Sequence, residues 1–384
     1  MTPEMKSATK KLTPVDVLKG GSPCVLTATL APVAGLDRFQ PAGFPEVGHV
    51  IYKAPRKNGG VDHVCIVDSA ASMANHLESV CMRGAHDYEL ADDLNGMPYL
   101  RCVTDPEPSD RGPLDENRRE VVVTSLTEGH RIASTYFLDG KRIKTGQPAS
   151  QQFEDELATE FGIVLKGGKK AHPPVEQWWQ VFSTIFRYDP NALVHGVLVP
   201  KWNIKISRVL TAHLEAFGAG RVDRSGVKFD RLQMTTSKQP IFAVDDATAR
   251  EIRATFILDV ALLRSFGREN GQQTLGLTDS QKVFLVTLAL WKIRALLSVP
   301  FRFRSGCHLQ LVSLKQGESD VEIDVDIQTA IKNAAFRSGE RAADSVVTDI
   351  FWPRTALYQE APEQSTASNG GQDEDVESDE NESE

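Results

Sequence analysis

The run VFLVTLALW, residues 283–291, is the most apolar stretch of the chain, and lysines stand on both sides of it at 282 and 292. A membrane span needs roughly 18–20 apolar residues. A run this short between charges reads as a core helix, extending over 280–297. A helix of that kind needs other elements packed around it, and the rest of the chain supplies strands and helices in alternation.

Residues 25–30 read as a strand, entered through Gly20-Gly21 and left through Pro32 and Gly35. A Pro/Gly-rich loop follows at 38–45. Segments 47–53 and 61–68, joined by Pro55-Arg56-Lys57-Asn58-Gly59-Gly60, read as a hairpin with a basic tip. Ser69 is placed to cap a helix running to Met82, because Ala70, Met73, Ala74, Leu77, Val80 and Cys81 recur at helical spacing. Residues 121–126 read as a short strand, and 166–170 as a glycine-basic turn. Val175, Trp178, Trp179, Phe182 and Phe186 form a helical stripe behind Pro173-Pro174. Further on, 193–199 reads as a buried strand and 206–217 as a helix stopped by Gly218. Residues 252–263 and 306–314 read as strands. The expected class is α+β, a mainly antiparallel sheet covered by helices. Residues 1–358 form one domain with excursions at about 31–67, 85–120 and 220–246.

Charge bears on function only after the C-terminus is set aside. The whole chain has 43 Lys/Arg against 52 Asp/Glu, a net charge of -9, but ten of the acids fall in residues 359–384, which hold no basic residue. Without them the body is close to neutral. The overall acidity therefore does not exclude a nucleic-acid partner. The segment 359–384 has the composition of a disordered acidic tail. The N-terminal 20 residues hold no apolar core of a secretory signal. Five cysteines without a C-x-x-C pair fit free thiols in a reducing, cytoplasmic setting. No membrane, metal or cofactor is expected. His63 and Cys65 share a strand but have no second pair at ligand spacing.

Signatures of common catalytic folds are missing: there is no G-x-x-x-x-G-K-[ST], G-x-S-x-G or H-E-x-x-H, and Gly218-Ala219-Gly220 is too short for a dinucleotide fingerprint. The one polar cluster suited to acid–base work is Thr124–Arg131, where Glu128 and His130 stand two residues apart. Features suited to binding are more numerous. On the helix after Ser69, the face opposite the apolar stripe carries Ser72, Asn75, His76 and Ser79. These are small neutral donors, where a solvated face would favour Lys and Glu. Phe301-Arg302-Phe303-Arg304 alternates with strand period, which puts both arginines on one side, available to phosphates, and both phenylalanines on the other. Arg38-Phe39-Gln40 offers a cation, an aromatic ring and an amide on a stiffened loop, the components of a base-stacking surface.

Four runs together resemble one CRISPR-associated RAMP family. They are Arg38-Phe39-Gln40-Pro41-Ala42-Gly43-Phe44-Pro45-Glu46-Val47-Gly48, matching R-F-Q-P-x-G-F-P-x-x-G; Asp68–Glu78; Thr124–Ser134; and Phe301–Cys307. The family is the backbone ("Cas-seven"-type) subunit of type I-G Cascade, formerly type I-U. The runs fall in order between about residues 20 and 315. Gly129 and Ala133 depart from the family's E-A-H-R-x-N-S form, and the acidic tail has no counterpart in it.

The resemblance implies a hand-shaped protein, a modified RRM-like (ferredoxin-like) palm with inserted finger and thumb elements. Copies would stack head-to-tail along a CRISPR RNA that pairs with target DNA. Other Cascade subunits, the large subunit and a fused cap/processing subunit, would complete the particle. In such systems this subunit is not a nuclease. The expected RNA-binding residues are Arg38, Phe39, Gln40, Ser69, Ser72, Asn75, His76, His130, Arg131, Arg302 and Arg304. The rival reading is a RAMP endoribonuclease, processing CRISPR RNA through His130 and Glu128 or cutting target RNA through an acid such as Asp68. A third is a protein scaffold that makes no RNA contact.

Overall fold

The structure, a computed structural model, describes residues 9–44, 48–85, 87–106, 119–144, 151–163, 165–166, 169–170, 178–222, 245–271, 273–336 and 345–358. The acidic tail, the insert core at 223–244, the segment 107–118 and Val175 lie outside the described residues.

A nine-stranded sheet organises these residues. Across it run Lys10–Leu12, Ser319–Ile323, Cys307–Gln316, Cys24–Pro32, Glu251–Leu258, Leu210–Phe217, Val61–Asp68 and Ile51–Pro55, with Phe301–Arg304 paired to Cys307–Gln316 off the main path. Every pairing is antiparallel except that of Lys10–Leu12 with Ser319–Ile323. Period-two patterning sets the two faces. Leu26, Ala28 and Leu30, Ala212, Leu214 and Ala216, and Ala254, Phe256 and Leu258 all point into the core. Thr27, Thr29, Thr211, Arg253 and Thr255 alternate with them on the other side.

Four of the strands carry a simple connectivity. Cys24–Pro32 leads, through the helix Ala70–Ser79, to Leu210–Phe217. That strand pairs with Glu251–Leu258, and the helix Asp279–Leu297 then leads to Cys307–Gln316. In space the order is fourth, first, third, second. The two helices touch, so both lie over the same face.

Asp279–Leu297 begins at Thr278 with a full capping box to Gln281 and is buried nearly all round. It contacts the helices Pro14–Lys19, Ala70–Ser79, Pro190–His195 and Ile327–Ala334. Lys282 and Lys292, expected to fence this helix with charge, are themselves buried, Lys292 completely. A smaller sheet, in the order Glu120–Thr124, Tyr99–Thr104, Val347–Trp352, Lys141–Arg142 and Gln151–Gln152, shares the same apolar core.

The expected α+β class holds, and several local expectations are corrected. Residues 206–217 form no helix: Ile204–Ile206 and Leu210–Phe217 are strands. The apolar residues there fit helical spacing only if Ala212 and Ala216 are ignored, and both are buried on the sheet's inner face. Residues 193–199 are not one strand. Asp189 caps a helix Pro190–His195 with proline at its start, and Gly196 breaks it before the strand Val197–Val199. Residues 252–263 divide likewise, with Asp259 capping Val260–Arg264. The helix after Ser69 ends at Ser79, and Met82 belongs to a following strand. The hairpin pairs Ile51–Pro55 with Val61–Asp68, while Gly48–His49 pairs with Gly43–Phe44 instead. The excursion expected over 85–120 is only partly one: Leu94, Met97, Tyr99, Leu100 and Cys102 lie in the core, hidden from composition by the acidic flanks. His63 is exposed and Cys65 buried, so the pair does not face one ligand.

Candidate nucleic-acid interface

The helix Ala70–Ser79 ties the sequence motifs together. Ser69 Oγ accepts from the Ser72 amide at 3.1 Å and caps it. Ahead of the cap, the strand Val61–Asp68 ends at Asp68, which is 3% exposed. Its carboxylate accepts from Ser72 Oγ at 3.0 Å and lies 3.1 Å from His76 Nε2. Arg304 closes the group from the other end of the chain. Its guanidinium donates to Asp68 Oδ1 at 2.8 Å, to the Val67 carbonyl at 2.7 Å and to the Gln40 carbonyl at 3.3 Å. The backbone N–H of Gln40 in turn donates to the Gly306 carbonyl at 2.9 Å. Three runs separated by up to 264 positions thus meet at one helix start.

The electrostatics follow from this packing. Burial opposes charge on Asp68, but His76, Arg304 and the Ser72 hydroxyl overcome it, and the carboxyl stays below its ordinary range. The imidazole of His76 is held edge-on by both Phe301 and Phe303, with centroids 5.2 and 5.3 Å away. The two phenylalanines do share a side, as alternation requires. Arg302 points to solvent and donates to Ser305 Oγ at 2.7 Å.

At the helix's other end, Glu78 is 3% exposed and receives Arg131 through two bonds of 2.7 Å, plus Asn191 Nδ2 at 2.7 Å. Lys292 donates to Asn191 Oδ1. Arg131 holds a positive φ of 55°, a conformation that a side chain adopts only when its surroundings impose it. Between the two ends, Asn75 and Ser79 are exposed. With Glu78, Thr127, Glu128 and Gly129 they line a cavity of about 470 Å³.

Some expected site residues take other roles. Phe39 is 2% exposed and sits in the core, so it offers no stacking surface. Arg38 is exposed and reaches Asp246 at 3.6 Å. Arg131 serves as a buried ion-pair partner rather than an open cation. His130 has a side chain 78% exposed, with Nδ1 3.1 Å from Glu128 Oε1. Sequence reasoning placed none of Glu78, Asn191 and Lys292 in the site, and read Lys292 as a charge at the edge of the core helix. For Glu78 and Lys292 the available signal was a charged residue continuing the helix's apolar stripe.

The family model described as CRISPR-associated protein GSU0053 matches residues 24–221, just over half of the chain, and takes in three of the four runs. The chain belongs to this CRISPR-associated family. Comparison with curated proteins finds no match to it. The family match ends well before Phe301–Arg304, so the docking of Arg304 onto Asp68 extends the arrangement beyond the matched segment. Among the described residues no helix is long and apolar enough to cross a membrane, and no three His, Cys, Asp or Glu side chains are grouped to hold a metal ion. The five cysteines are free and buried, and burial raises each thiol above its ordinary pKa.

Proposed function

We propose that this CRISPR-associated protein is the guide-binding backbone subunit of a type I-G Cascade. It is non-catalytic and stacks head-to-tail with copies of itself along a CRISPR RNA that pairs with target DNA. The observation that carries the reading is the meeting of three distant motifs at the start of the Ala70–Ser79 helix. There Arg304 organises the Gln40 loop and Asp68, Asp68 holds Ser72 and His76, and Asn75 and Ser79 on the same face stay exposed to a sugar–phosphate backbone. The fourth–first–third–second strand order, with two helical crossovers on one face, is the order expected of the β-α-β-β-α-β arrangement in an RRM-like palm. It supports the RAMP reading. In such a particle the protein reads backbone shape while the guide reads sequence.

The exposed His130, beside a half-buried Glu128, favours one competitor, an endoribonuclease using His130 as acid or base. Size-exclusion chromatography of the full chain with CRISPR RNAs of increasing length separates the two. Particles whose mass rises with guide length support the backbone reading. Shortened RNA that stays intact with a His130→Ala variant points to the nuclease, and a monomer that ignores RNA refutes both.

A further inference from the structure

Beyond the Glu78–Arg131 pair lies a second depression of about 390 Å³, which meets the first cavity at Gly129. That is within the range of roughly 300–1,000 Å³ typical of ligand pockets. One wall is the turn Gly129-His130-Arg131. The other is the ribbon of Val197–Val199 and Ile204–Ile206 with its flanks, from His195 to Arg208. Gly196 lets the ribbon close: its φ is +89°, and a Cβ there would lie 2.9 Å from the Ile206 carbonyl oxygen and 3.3 Å from the Arg208 amide nitrogen.

His195 lines this depression, is 1% exposed, and has no hydrogen-bond partner at either ring nitrogen. Leaving both nitrogens unmatched is costly, and packing alone gives no reason for an imidazole here. Burial first, then the nearby cations Lys292, Arg131 and Arg208, holds its pKa well below the ordinary value. The ring is therefore neutral, with one N–H and one lone pair. At the rim, Lys205, Ser207 and Arg208 are exposed. Among the described residues neither Lys205 nor Arg208 has a carboxylate partner, in contrast to Arg131 and Arg304.

We propose that this depression seats one nucleotide of single-stranded RNA, with its phosphate on Lys205 and Arg208 and its ribose 2′-hydroxyl on the His195 imidazole. A 2′-hydroxyl is both donor and acceptor, as a neutral imidazole is, so the two match without charge. Rim cations with no acid among them suit a phosphodiester better than a peptide of mixed charge. The inference rests on the RNA-binding reading above. It adds a defined subsite that distinguishes RNA from DNA.

The test is direct binding of the full chain to a CRISPR RNA across a salt series, beside the same sequence with every 2′-hydroxyl removed. The expected result is that Lys205→Ala/Arg208→Ala weakens RNA binding about tenfold and flattens the log–log salt slope by about 0.7, for the one phosphate the two cations share on a single strand. His195→Asn should erase the preference for RNA over its deoxy counterpart. Because His195 is buried, its variant is compared only after thermal melting shows a folded protein; the rim double variant decides the matter if it does not. Wild-type binding to RNA with an unchanged slope in the double variant, or equal affinity for deoxy RNA, overturns the subsite and leaves the RNA-binding reading standing. Failure of the wild type to bind any RNA overturns both.

Discussion

Each end of the Ala70–Ser79 helix carries a carboxylate held by an arginine from a distant segment, and the two pairs differ in what surrounds them. Asp68 meets Arg304 beside solvent: the arginine side chain is 23% exposed, and His76 beside it is 19% exposed. Glu78 meets Arg131 with side chains only 4% and 8% exposed, inside a set completed by Asn191 and Lys292. Asp68 is as enclosed as Glu78, with 2% of its side chain exposed, but its arginine and histidine partners reach solvent and can share their remaining donors with water or a phosphate. A pair without water cannot, and removing either partner leaves an uncompensated charge. The same chemistry therefore reaches solvent at one end and is closed inside the fold at the other.

The largest expected effect lies at the buried end. Glu78→Gln keeps the shape but removes the charge opposite Arg131, and should destabilise the protein by about 3–5 kcal/mol in denaturant titration. A loss under 1 kcal/mol would show that the two ends are not different in kind.

A smaller effect separates the ends by pH. Asp189 lies in the buried set, with Oδ2 unpartnered, and burial together with the charge of Glu78 pushes its pKa up to about 7. Its folded form therefore binds a proton more tightly than its unfolded form. The protein loses stability as pH rises from the ordinary carboxylate range to about 7, and the full loss persists above that. Asp68 behaves oppositely: its folded pKa is lowered. Its stabilising contribution is present above the unfolded value, near 4, and disappears as pH falls through the folded one. Asp189→Asn should flatten the melting-temperature profile between pH 5 and 7.5, whereas Asp68→Asn should alter only its acid limb. Identical profiles for both variants would remove this contrast.

The smallest effect is at Arg302, which is exposed and bonded only locally. Arg302→Ala should leave stability within about 0.5 kcal/mol of wild type and flatten the salt slope of RNA binding by about 0.7. An unchanged slope would remove Arg302 from the interface while leaving Arg304's structural place intact.

How far the sequence could be read depended on whether a signal was local. The Ser69 cap, the basic-tipped hairpin and the core helix near 280–297 were legible because capping, turn chemistry and periodicity act over a few residues. Leu210–Phe217 was misread because alanines at 212 and 216 are weak markers of a buried face, and only pairing with Val61–Asp68 and Glu251–Leu258 selects the strand. In the site, alternation placed Phe301 and Phe303 on a common side. It could not tell that Arg302 stays in solvent while Arg304, two residues on past an irregularity in pairing, turns inward to Asp68. Phe39 looked like a stacking ring because its neighbours are loop formers, but a loop residue can still fill a core.

By itself the sequence determined the α+β alternation, the helix start at Ser69 and membership of a CRISPR-associated family. Tertiary structure alone decided which charges are neutralised and which stay open. It paired Arg131 with Glu78, enclosed Lys292, docked Arg304 on Asp68, and, among the described residues, left His195 unpartnered near the exposed cations Lys205 and Arg208. The reason is physical: propensity is a property of neighbouring residues along the chain, whereas desolvation and ion pairing depend on groups brought together from far apart.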